Sequence, residues 1–129
     1  MPDQRPSIVI VEDDAGMKKA IERLLRAAGF QPSSFASAEE LLQTEAADSA
    51  ACLVLDIHLP GLSGLELGRL LVASGRAKPV IFITAQDEVP LRDEVRRLGC
   101  AYFRKPFEGK ALLEAIRRAI ELNSRQSNP

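Results

Sequence analysis

Four places in this chain carry side chains able to do chemistry together. They are the acidic run Glu12-Asp13-Asp14, a carboxylate at Asp56, a hydroxyl at Thr84 and an ammonium at Lys105. Each ends or follows a short apolar run. Three clustered carboxylates repel one another and raise each other's pKa unless something compensates them. A hard divalent cation does so, and Mg²⁺ takes one or two carboxylates plus waters and phosphate oxygens. A carboxylate beside such a cation can act as a phosphoryl acceptor. The metal and Lys105 would then offset charge on the phosphoryl oxygens, and Thr84 could donate a hydrogen bond to them. Taken singly, each group has a plainer use. Glu12 and Asp13 suit a helix N-terminus, Asp56 suits a turn cap, Thr84 ends a strand, and Lys105 is a solvated charge. The chemical reading therefore depends on elements that bring all four places to one edge.

The pattern supplies such elements. Ser7-Ile8-Val9-Ile10-Val11, residues 52–55 and residues 79–83 are continuous apolar runs, as expected of parallel strands buried on both faces. Residues 30–35 contain Pro32, Ser33 and Ser34 and read as a weaker strand at a sheet edge. Residues 101–104 form a short last strand. Between them lie helical patterns. The first carries Met17, Ala20, Ile21, Leu24, Leu25 and Ala28 after an Asp14 cap and stops at Gly29. Ser37-Ala38-Glu39-Glu40 and Ser63-Gly64-Leu65-Glu66 are capping boxes. The first opens a short helix with a frayed exit to Ser49, and the second a helix reaching Gly75. Asp87-Glu88-Val89-Pro90 suits a further helix start, with Gly99 ending that helix. The last helix is expected from Glu108 to Leu122, followed over residues 123–129 by a polar tail or the start of a linker. Five strands alternating with five helices imply an α/β fold with a parallel sheet. The three most apolar strands belong at the centre, which gives the order 2-1-3-4-5 of a flavodoxin-like (βα)5 sandwich. In such a sheet the C-terminal strand ends share one crevice.

Composition narrows the function classes. The 129 residues hold Lys+Arg 17 against Asp+Glu 18, and the net charge of -1 gives no drive toward nucleic acid or anionic membrane. No apolar run approaches the roughly 20 residues of a membrane span. The polar start lacks a signal-peptide core, so a cytoplasmic location is expected. Cys52 starts one expected strand and Cys100 precedes another two places away, about 10 Å at ordinary strand spacing. A disulfide needs Cα atoms within about 7 Å, so buried free thiols are expected.

With these residues in place, the chain resembles the receiver domain of two-component response regulators, from about Ser7 to Leu122. The matching stretches are Val9-Ile10-Val11-Glu12-Asp13-Asp14, Leu55-Asp56-Ile57-His58-Leu59-Pro60-Gly61, Thr84-Ala85 and Tyr102-Phe103-Arg104-Lys105-Pro106-Phe107. The resemblance implies that Asp56 takes a phosphoryl group from a sensor histidine kinase, with Mg²⁺ (or Mn²⁺) as cofactor. It implies Glu12 and Asp13 as the acidic pair, Asp13 being the direct ligand, and the His58 backbone carbonyl as a further ligand. Thr84 and Tyr102 match the switch pair, Lys105 the phosphoryl-contacting lysine, and Lys105-Pro106 a cis bond. The His58 side chain and Gln86 match positions that tune water access. Such a domain is a phosphoacceptor rather than an enzyme acting on a separate substrate, with autodephosphorylation expected. Its output face is that of the fourth helix, fifth strand and fifth helix, where phosphorylation also promotes homodimers. Pro60-Gly61-Leu62-Ser63-Gly64-Leu65-Glu66-Leu67 and Lys105-Pro106-Phe107-Glu108 are similar to the FixJ/NarL type, which usually carries a C-terminal DNA-binding domain. None is visible in this sequence, so either the receiver has been separated from one or it acts alone through protein contacts.

Rival readings fit less well. A flavodoxin-like phosphate binder would place a Ser/Thr/Gly-rich loop where Glu12-Asp13-Asp14 stands. A haloacid-dehalogenase phosphohydrolase would show a second acid two residues after the nucleophile, where His58 stands. A receiver-shaped interaction module that is never phosphorylated would usually lack an acid or the lysine, and this chain has both.

Overall fold

The computed structural model describes residues 5–74, 78–86, 88–98 and 100–127. The helix ends expected at Gly75 and Gly99, the start at Asp87, and the terminal residues 1–4 and 128–129 lie outside them. Five strands form one parallel sheet: β1 (Ser7–Val11), β2 (Gln31–Phe35), β3 (Cys52–Asp56), β4 (Val80–Thr84) and β5 (Ala101–Arg104), in the order β2-β1-β3-β4-β5. Six helical segments cover it: α1 (Ala15–Ala27), α2 (Ala38–Leu42), α3 (Ala46–Ser49), α4 (Gly64–Ala73), α5 (Val89–Arg97) and α6 (Gly109–Ser127).

Every residue of β3 and β4 is buried, as their unbroken apolar runs require. Side chains alternate across the sheet and divide the core in two. Val9, Val11, Leu53, Leu55, Val80 and Phe82 pack with α2, α4 and α5 residues on one face. Ile8, Ile10, Val54, Ile81 and Ile83 pack with Ile21 and Leu25 of α1 and Leu112 and Ile116 of α6 on the other. Each fully buried Ile or Leu contributes about 1.5–3 kcal/mol over its exposed state. The helix starts are fixed as the capping boxes predict. Asp14 accepts from Gly16 N at 3.0 Å, Ser37 Oγ from Glu40 N at 3.1 Å, and Ser63 Oγ from Glu66 N at 3.1 Å.

The structure differs from the sequence expectation in three places. The polar stretch after α2 is not a frayed exit but contains the short helix α3. The expected polar tail continues α6 as far as Ser127, because residues 123–127 contain no Gly or Pro to stop it. Ala20, expected on the buried stripe of α1, is exposed.

Candidate functional site

Strand register brings the chemistry to one edge. Val11 pairs with Leu55, so Glu12 and Asp56 follow in the same row. Asp56 pairs with Ile83, and Thr84 pairs with Arg104, immediately before Lys105. Lys105 N–H donates to the Thr84 carbonyl at 2.7 Å, which carries the ladder one residue past β5. The Lys105–Pro106 bond is cis. From there the Lys105 ammonium reaches back across the sheet, donating to Asp56 Oδ2 at 3.2 Å and to Glu12 Oε1.

The Asp56 carboxylate is also held by its own loop. His58 N–H donates to Asp56 Oδ1 at 3.1 Å. The turn-capping use of this aspartate is therefore real, and it coexists with the clustering. Carboxylate oxygens of Glu12, Asp13 and Asp56 all lie within 4.8 Å of one another. Glu12 is wholly buried, Asp56 is 5% exposed, and Asp13 is open to solvent. Burial pushes the Glu12 carboxyl above its ordinary pKa, and the neighbouring Asp56 adds to the rise against the opposing pull of Lys105. Burial alone would lower the Lys105 ammonium, but Glu12 and Asp56 outweigh it and raise its pKa. Three carboxylates face one ammonium here. The oxygen-only donor set and its excess negative charge fit a hard divalent cation.

Thr84 is fully buried, and its hydroxyl is engaged twice by the next turn. It donates to the Gln86 carbonyl at 3.0 Å and accepts from Gln86 N–H at 3.0 Å. Tyr102 pairs with Phe82 across β4–β5 and packs half-buried on the same core face. Thr84 lies two residues beyond Phe82, so Thr84 and Tyr102 share that face. The His58 side chain is exposed.

Comparison with known proteins decides the family. The model of the response regulator receiver domain matches residues 8–117. This chain belongs to that family. It is 38% identical over 115 residues to nodulation protein W of Bradyrhizobium diazoefficiens, covering 88% of this chain and 51% of that protein. It is 35% identical over 127 residues to the transcriptional regulatory protein FixJ of Azorhizobium caulinodans, covering 98% of this chain and 60% of that one. The chain thus spans about half the length of such curated relatives. A solved response regulator receiver protein from Burkholderia phymatum is 37% identical with a TM-score of 0.78, covering 91% of this chain and 96% of that one.

The receiver fold brings Glu12, Asp13, Asp56 and Lys105 into one cluster and sets Thr84 beside it, while Tyr102 lies on the neighbouring strand β5, on the same face of the sheet as Thr84. Sequence reasoning overlooked three residues that shape the site. Gly64 packs against the Asp56 backbone, and Gly68 lies where a Cβ would be 2.5 Å from Phe82 Cζ. Glu39 accepts from Leu62 N–H at 2.8 Å across 23 residues of sequence. The capping boxes named Glu39 and Gly64 only as helix-start residues. Their long-range contacts leave no periodic signal.

Among the described residues, no helix is long and apolar enough to cross a membrane.

Proposed function

We propose that Asp56 is a phosphoryl acceptor served by a sensor histidine kinase. The observation that carries this reading is the Asp56 carboxylate itself, held at Oδ1 by His58 N–H and at Oδ2 by Lys105, beside Glu12 and Asp13. An Asp56 oxygen attacks phosphorus, a P–O bond forms, and the bond to the departing kinase imidazole breaks with its electron pair going to the ring nitrogen. Lys105, already placed on Oδ2, offsets charge on the transferred oxygens. Asp13, Asp56 and the His58 carbonyl, with Glu12 alongside, would hold Mg²⁺, which supplies electrostatic stabilisation of the same oxygens when bound.

Phosphorylation adds about -1.5 to -2 charge and new acceptors at Asp56. The Thr84 hydroxyl would leave Gln86 for a phosphoryl oxygen, opening space for Tyr102 to turn inward. That alters the face of α5, β5 and α6, on which a second phosphorylated copy or an output domain would dock. The phosphoryl group shifts a pre-existing equilibrium through contacts that differ between the two states. Water attack on the phosphoaspartate would return the domain to rest, with the exposed His58 and Gln86 side chains setting water access. In relatives of twice this length the same domain is joined to more chain, so transcriptional control through an attached DNA-binding domain is the output we infer. The receiver alone would contact protein rather than nucleic acid, in the cytoplasm where kinases of this class present their phosphohistidine. The retained acids and lysine speak against an interaction module that is never phosphorylated.

Intact-mass measurement after acetyl phosphate and Mg²⁺ tests the reading. One phosphoryl group is expected on the wild type and none on Asp56→Asn; equal labelling of both overturns it.

A further inference from the structure

The loop between Asp56 and α4 is anchored at both ends by its own backbone. His58 N–H holds Asp56 Oδ1 at 3.1 Å, and Gly64 N–H donates to the Ile57 carbonyl at 3.0 Å. Between these anchors lies the crest Leu59-Pro60-Gly61-Leu62. Pro60 has no N–H to give, and Gly61 turns the chain at φ +73°. The crest is tied down from outside the loop. Glu39, on the first turn of α2, accepts from Leu62 N–H at 2.8 Å through Oε2. The same oxygen fills the space beside Gly61, where a Cβ would come within 2.4 Å of it. A side chain at position 61 would thus have to displace Glu39 as well as adopt a conformation that L residues rarely take. Glu39 is exposed and has no part in the core. That Leu62 N–H also holds the Glu39 carboxyl below its ordinary pKa, as a backbone donor does for a carboxylate it serves.

We propose that Glu39 is a positioning residue for the acceptor site, pinning the crest so that the His58 backbone is held at Asp56 in the geometry that metal binding and phosphoryl transfer require. The inference rests on the phosphoacceptor reading for its functional consequence. Its structural half stands apart from that reading. The loop is seven residues long, and two anchors at its ends leave its middle free to shift. The third anchor comes from a helix that follows β2, so the acceptor loop is fixed by a part of the chain with no residue in the reaction.

Glu39→Ala removes the acceptor, and Glu39→Gln keeps a carbonyl oxygen for Leu62 N–H. Three measurements on the whole chain separate the outcomes: amide exchange across residues 57–64, Mg²⁺ affinity by calorimetry, and the rate of acetyl phosphate labelling at low and saturating Mg²⁺. For Glu39→Ala, exchange at Leu62 and its neighbours should accelerate while β1 and β4 amides keep their protection. Mg²⁺ affinity should fall about tenfold, the lower end of what partners behind a metal ligand contribute. Labelling should drop at low Mg²⁺ and recover at saturation. Glu39→Gln should restore all three to within about twofold of wild type. Wild-type exchange and affinity in Glu39→Ala would overturn the proposal, as would a loss in β1 and β4 protection equal to that of the loop. Failure of the wild type to label at all would remove the phosphoacceptor reading instead, and the exchange and Mg²⁺ measurements would still decide the role of Glu39.

Discussion

Gly64 lies directly over the Asp56 backbone: a Cβ at position 64 would stand 1.8 Å from the Asp56 carbonyl oxygen. No side-chain adjustment relieves such a contact, because the atom approached is backbone. The first turn of α4 can lie this close to the end of β3 only with glycine there. Gly64→Ala should therefore move the whole turn away from Asp56. A stability loss of about 1–3 kcal/mol is expected, typical of overpacking, together with slower labelling of Asp56. Urea denaturation and acetyl phosphate labelling check this. Unchanged stability and rate would mean that the loop can move at little cost.

Asp13 is the exposed member of the carboxylate cluster, and Glu12 is buried against Lys105. Asp13→Ala should leave the fold intact and weaken Mg²⁺ or Mn²⁺ binding by roughly tenfold or more. Calorimetric titration gives the answer directly. An affinity equal to that of wild type would take Asp13 out of the metal's ligand set.

Thr84 is held in place by the Gln86 backbone in the resting state. Thr84→Ala removes both hydrogen bonds, at a cost of about 1–2 kcal/mol, without touching Asp56 or Lys105. The variant should still accept beryllofluoride, a phosphoryl mimic, at Asp56. Sedimentation should then show a larger species for the wild type and a monomer for Thr84→Ala. The same assembly in both at equal occupancy would exclude Thr84 as the residue that couples the site to the α5–β5–α6 face.

Cys52 begins β3 and is buried, and burial pushes its thiol from the ordinary 9.0 to about 12. Cys100 is half-buried and raised by the same cause. Native protein at pH 8 should leave Cys52 unalkylated, while unfolding in urea exposes both thiols. The folded state keeps the Cys52 proton more tightly than the unfolded chain does. Its stabilising effect is therefore complete below pH 9 and is lost as the pH rises toward 12, by about 1.4 kcal/mol per pH unit. Cys52→Ala should flatten the fall of stability over that range. An equal slope in both proteins would assign the alkaline loss to other groups.

Much of this molecule is local and was legible without a structure. The apolar runs at 7–11, 52–55 and 80–83 determine buried strands, because only a strand covered on both faces tolerates unbroken Val, Ile and Leu. Pro32 with Ser33 and Ser34 sends the second strand to an edge. Asp14, Ser37 and Ser63 start their helices through contacts two or three residues away. Once the strand order is inferred, Glu12, Asp56, Thr84 and Lys105 must meet at one edge, since each sits at a strand's carboxyl end. Other features needed the tertiary structure. That Lys105 bridges Glu12 and Asp56 rather than meeting solvent depends on where three strand ends stop relative to one another. The end of α6 is a balance between helix propagation and a polar sequence with no breaker, and periodicity alone does not resolve it. Gly64 over Asp56 and Glu39 under Leu62 are contacts between elements whose spacing in sequence carries no signal. Residue type told which groups could act, but the packing of α2 and α4 decided what stands against Asp56 and the loop that follows it.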